Sequence, residues 1–153
     1  MTDEQKAGLY SWFPTRMPPT GAAKIAKLLK DIEAVYGAKT WGAAGFCWGG
    51  KVIALTSGED TPWKATAMAH PGQMDAADAE NISIPTCLLA SEEEGEEVVA
   101  EWMGKLRGEK YSERFGEMLH GFMSARGDLE DVHVKGEYEK GYRIFLEWFA
   151  KHL

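Results

Sequence analysis

The sequence predicts an α/β fold with about four mostly parallel strands and helices on both faces. Two observations predict it. Short apolar runs over 39–46, 65–70, 84–90 and 111–118 have strand length. Segments with helical spacing lie between and around them, and strands alternating with helices imply a parallel sheet covered on both sides.

The elements follow in order. Residues 1–19 read as an irregular segment, because Pro14, Pro18 and Pro19 interrupt any continuous element. From Thr20 to about Tyr36, Ile25, Leu28, Leu29, Ile32 and Val35 share one helical face, and Gly37 stops the helix. Residues 39–46 read as a buried strand, and 48–57 as a helix despite Gly49 and Gly50. The strand over 65–70 is closed by Pro71 and Gly72. In the strand over 84–90, Pro85 stands near the start, where its missing N–H does least harm. Residues 96–107 read as a helix with Val98, Val99, Trp102, Met103 and Leu106 inward. Residues 111–118 form the last expected strand, and 136–153 the clearest helix, with aromatic residues at helical spacing. The whole reads as one domain over 1–153, without repeats.

Composition narrows the function. Hydrophobic residues make up 44% and charged residues 27%, which is globular. A formal charge of −7 argues against nucleic acid and anionic membrane partners. No apolar run reaches the ~20 residues of a membrane helix, and the opening MTDEQKAGLY is not a signal peptide. Two cysteines make no disulfide framework, so a reduced, cytoplasmic setting is expected. No metal-ligand spacing and no phosphate loop is found, and no cofactor is expected.

Gly45-Phe46-Cys47-Trp48-Gly49-Gly50 lies between a predicted strand and a predicted helix. It has the form of the G-x-S-x-G nucleophile elbow, with cysteine in place of serine. Such a turn is sharp, and its flanking positions must lack bulk, which Gly45 and Gly49 provide. The following helix points its N-terminus at Cys47 and favours negative charge there. The Trp48 backbone N–H is a candidate oxyanion donor.

In proteins with this elbow the acid and then the histidine follow the nucleophile. Of four histidines, His120 stands on a loop after a strand and suits a general base. His133 and His152 read as surface residues. The acid belongs on the loop after 84–90, which offers Glu92, Glu93, Glu94, Glu96 and Glu97 but no aspartate.

These segments resemble the dienelactone hydrolase family. The elbow resembles its nucleophile signature. His120-Gly121-Phe122 with Arg126-Gly127-Asp128 resembles its histidine motif, and residues 84–89 the strand before its acid. Residues 148–153 resemble its final helix. His70-Pro71-Gly72 resembles the fungal-type branch. The resemblance runs from about Thr20 to the end. It implies a truncated α/β-hydrolase fold lacking the family's N-terminal strands, and a Cys-Asp-His triad that opens esters and lactones through an acyl-enzyme. Cys47 and His120 inherit the nucleophile and base, and the family's aspartate falls on Glu94. Arg126, Phe122 and His70 become candidate substrate-binding residues, although Arg126 also reads as a surface arginine paired with Asp128.

The expected function is therefore thiol-dependent hydrolysis of a small ester or lactone. One alternative is a catalytically degenerate member acting as a small-ligand binder or oligomeric subunit. The other is a lyase or isomerase using a histidine base, His120 or His70, on the same scaffold. With no earlier strand to pair with 39–46, a homo-oligomer, most simply a two-fold dimer, is expected.

Overall fold

A computed structural model describes residues 2–153. Four parallel strands, β1 (Trp41–Phe46), β2 (Trp63–Ala69), β3 (Thr86–Ala90) and β4 (Lys110–Arg114), form one sheet in the order β1-β2-β3-β4. Five α-helices surround it: α1 (Asp3–Trp12), α2 (Pro18–Tyr36), α3 (Trp48–Thr56), α4 (Glu96–Lys105) and α5 (Val132–His152). The expected truncated α/β-hydrolase arrangement is what the chain adopts. The last strand is shorter than expected, and the last helix starts four residues earlier. Asp131 opens that helix, its side chain accepting from the N–H groups of His133 and Val134.

Period-two alternation divides the core. Ala67, Ala69, Cys87 and Leu89 face one side and pack with Phe145 and Trp148 of α5. Met68, Leu88 and Ala90 face the other, against Ile53 and Ala54 of α3 and Trp102 of α4. All seven of these strand residues are fully buried. β1 pairs only with β2 among the described residues, so its other edge is open.

The N-terminal segment differs from the irregular expectation. Thr2 caps α1 with a complete capping box, its hydroxyl accepting from Gln5 N–H while the Gln5 side chain accepts from Thr2 N–H. Pro18 and Pro19 occupy the first turn of α2, where the prolines' missing N–H groups have no intrahelical acceptor to satisfy. The prolines therefore start an element here. The α1–α2 segment is tied to the rest by Trp48, whose indole N–H donates to the Arg16 carbonyl at 2.7 Å.

Candidate active site

Every sequence-predicted site residue comes from, or directly follows, the loops at the carboxyl ends of the four strands. Cys47 follows β1, His70 follows β2, Glu94 follows β3, and His120 lies six residues beyond the end of β4. In open parallel sheets this end is where ligands bind.

Cys47 forms the turn itself. Its φ is +50° and ψ is −116°, a left-handed backbone that costs a non-glycine residue of order 1–3 kcal/mol. The turn closes because Gly45 has no side chain: a Cβ there would lie 2.5 Å from the Gly49 carbonyl oxygen. The end of β2 and the loop after it clasp the turn from outside. Cys47 N–H donates to the Ala69 carbonyl at 3.2 Å, and Gly72 N–H donates to the Cys47 carbonyl at 2.9 Å. Cys47 is partly exposed. A Cβ placed on Gly72 would lie 3.6 Å from Cys47 Sγ and 3.7 Å from Trp48 N. Glycine at 72 thus keeps open the space that touches both the sulfur and the first N–H of α3. That N–H has no intrahelical acceptor.

Gly72 also lines a cleft of about 300 Å³ with Glu93, Glu94 and His120. Here Glu94 Oε1 and His120 Nδ1 are 2.6 Å apart. The other oxygen, Oε2, accepts from Ser91 N–H at 2.6 Å and Ser91 Oγ–H at 2.7 Å. Glu94 is buried, with its side chain 6% exposed, so both oxygens are held in place. With Nδ1 donating to the carboxylate, Nε2 carries the free lone pair. Of the five glutamates between positions 92 and 97, Glu94 alone is buried.

His70 is 0% exposed, with φ +37°. Its ring lies against His120, centroids 4.9 Å apart, and against Phe46 and Phe122. Neither ring nitrogen has a hydrogen-bond partner among the described residues. Burial, reinforced by the neighbouring His120, lowers its pKa to about 4. Phe122 is 1% exposed and packs on Phe115 and His70, in the core behind the cleft. Arg126 reaches Glu93 Oε1 at 3.3 Å and the His120 carbonyl at 3.2 Å. The carboxylate of Asp128 instead accepts from the N–H groups of Glu130 and Asp131, so the arginine's partner is Glu93. His133 is exposed and lies 2.9 Å from Glu117. The His152 side chain is only 9% exposed and packs on Trp148, contrary to its expected surface position.

Sequence reasoning missed Ser91. It stands three residues before Glu94, and no spacing rule marks a serine that fixes a side-chain carboxylate. His70 was singled out, but its complete burial was not legible.

A parallel sheet with a strained cysteine elbow after β1 defines an α/β-hydrolase scaffold. The sequence profile of the dienelactone hydrolase family matches residues 15–153, and the chain belongs to that family. It is 35% identical over 156 residues to an uncharacterized AIM2 family protein of Schizosaccharomyces pombe. A second such protein of that yeast is 31% identical over 155 residues. The alignments cover 98% and 97% of this chain but 63% and 62% of the relatives, so the chain spans under two thirds of their length. No solved structure matches it. No helix among the described residues is long and apolar enough to cross a membrane.

Proposed function

We propose that the chain is a thiol-dependent hydrolase of a small ester or lactone, working in the cytoplasm without a cofactor. The observation that carries this reading is the left-handed Cys47 at the start of α3, with Gly72 leaving open a space beside its sulfur. The Glu94–His120 pair, which lines a cleft with Gly72, supports it.

In this reading His120 Nε2 takes the thiol proton as Cys47 Sγ bonds to the carbonyl carbon. The oxyanion receives the Trp48 N–H. The ester C–O bond then breaks, and the leaving oxygen takes the proton from His120. A water molecule, deprotonated by the same imidazole, attacks the thioester and releases the acid and Cys47. Glu94 fixes the imidazole and stabilises its cationic form. The test is incubation with p-nitrophenyl acetate: wild-type protein should release p-nitrophenolate and carry a transient acetyl group on Cys47. Cys47→Ala should do neither.

A second reading is a ligand-binding member with little turnover. In it the Trp48 N–H, supplied by the elbow at the start of α3, would act on the oxyanion without a second donor. The missing donor would lower the rate by about 10²–10³. The open edge of β1 further supports a homo-oligomer, with a second copy covering that edge.

A further inference from the structure

We propose that the substrate of this cleft is an uncharged compound with a short acyl chain, and that Glu93 and Arg126 enforce the selection together. The proposal rests on the hydrolase reading and narrows it.

Size comes from the cavity. A volume of about 300 Å³ is at the small end for ligand pockets. At roughly 30 Å³ for each water-sized group it holds about ten non-hydrogen atoms. The walls beyond Gly72 are Met74 and Val98, and Gln73 supplies a neutral amide. An acyl chain of a few carbons fits between them.

Charge comes from the rim. Glu93 and Glu94 both line the cleft, and no lysine does. Glu94 is committed to Ser91 and His120. Arg126, which bonds two residues of the lining, is already engaged by Glu93 and by the His120 carbonyl. Lys51, on the elbow helix, is paired with Asp78. An anionic substrate would therefore meet two carboxylates and an arginine whose charge is already balanced. A neutral acyl group meets no such penalty.

In the chemical step Cys47 Sγ bonds to the carbonyl carbon, the ester C–O bond breaks, and the alcohol leaves with the proton that His120 carried. A charged acyl chain changes none of this chemistry, so selection by charge is testable apart from turnover.

The first arm uses alkylation. Rates for iodoacetamide and iodoacetate at Cys47 are each divided by the rate with N-acetylcysteine. At low ionic strength the anionic reagent should be disfavoured by about tenfold, the scale of one close like-charge contact. Glu93→Gln should release Arg126 and reduce the gap to about threefold or less, whereas Arg126→Gln should widen it. Equal normalised rates in the wild-type protein, or faster iodoacetate, would overturn the proposal. The second arm compares p-nitrophenyl acetate and butyrate with the mono-p-nitrophenyl ester of succinic acid and with the decanoate. The first two should have kcat/KM at least about tenfold higher. Preference for the succinate or decanoate ester would overturn the proposal. Alkylation selectivity without any acylation would support charge selection while ending the hydrolase reading.

Discussion

Glu94 and His120 meet at 2.6 Å from two different loops, and Ser91 grips the far oxygen of the same carboxylate through both its backbone N–H and its hydroxyl. The carboxylate thus has one orientation. Glu94→Gln should lower kcat by about 10²–10⁴, because the amide loses the charge and presents a donor where the imidazole N–H needs an acceptor. Glu96→Gln, at an exposed residue paired with Arg114, should change it less than about threefold. Similar small effects at both positions would mean that the pair is structural.

Ser91→Ala removes one of the three contacts on Glu94. The expected loss in kcat is about tenfold to 10²-fold, the scale of one hydrogen bond to a charged group. Ser91→Thr should restore much of it. An unchanged pH–rate profile and kcat in Ser91→Ala would show that the backbone N–H alone positions the carboxylate.

Cys47 and Cys87 should differ sharply towards iodoacetamide. Cys87 is fully buried in β3, and burial with Glu113 nearby pushes its thiol up to about 12. Cys47 is partly exposed at a helix start. Peptide mapping near neutral pH should find Cys47 labelled at least about 10²-fold faster. Comparable rates would count against an activated nucleophile.

Stability should fall in mild acid because of His70. The unfolded chain protonates this imidazole near 6.5, whereas the folded ring resists until about 4. Between those values the unfolded state holds more protons, so stability rises with pH and is lost as pH falls through the window. The group's contribution is about 3 kcal/mol. Urea midpoints should drop by about 1–3 M across that range. His70→Asn, which tolerates a left-handed backbone but does not titrate, should flatten this slope whatever its own stability. A slope unchanged in His70→Asn would place the acid sensitivity elsewhere.

Association is expected through the open edge of β1. Sedimentation equilibrium at micromolar concentration should give twice the chain mass. Ala44→Lys, at an exposed position of that strand, should shift the protein towards monomer. A compact monomer in the wild-type chain would show that the edge needs no cover.

The site was more legible than the N-terminus, for a physical reason. The elbow needs glycine at 45, where a Cβ would strike the Gly49 backbone, whereas a Cβ at 49 would meet open space. Glu94 was singled out from five neighbouring glutamates by the family resemblance alone, since the residues themselves gave no reason to prefer one. Pro14, Pro18 and Pro19 misled because proline breaks a helix from within yet begins one well. Both Pro18 and Pro19 take that favourable place. Ser91 and the burial of His70 depend on tertiary neighbours, which leave no period in the chain. His152 was misjudged because nearness to the end of the sequence says nothing about which helical face is covered. Trp148, one turn earlier, covers it.

Of the four non-glycine residues with positive φ among the described residues, Cys47, His70 and Gln73 lie on the turn after β1 or the loop after β2, and Asp60 lies before β2. Each would be more at ease as glycine. Selection on durability alone would remove this tension, and a sequence evolved for heat resistance should relax at these positions first. The unrelaxed state of three neighbouring residues marks a chain shaped by something other than endurance, and places that demand beside the sulfur of Cys47.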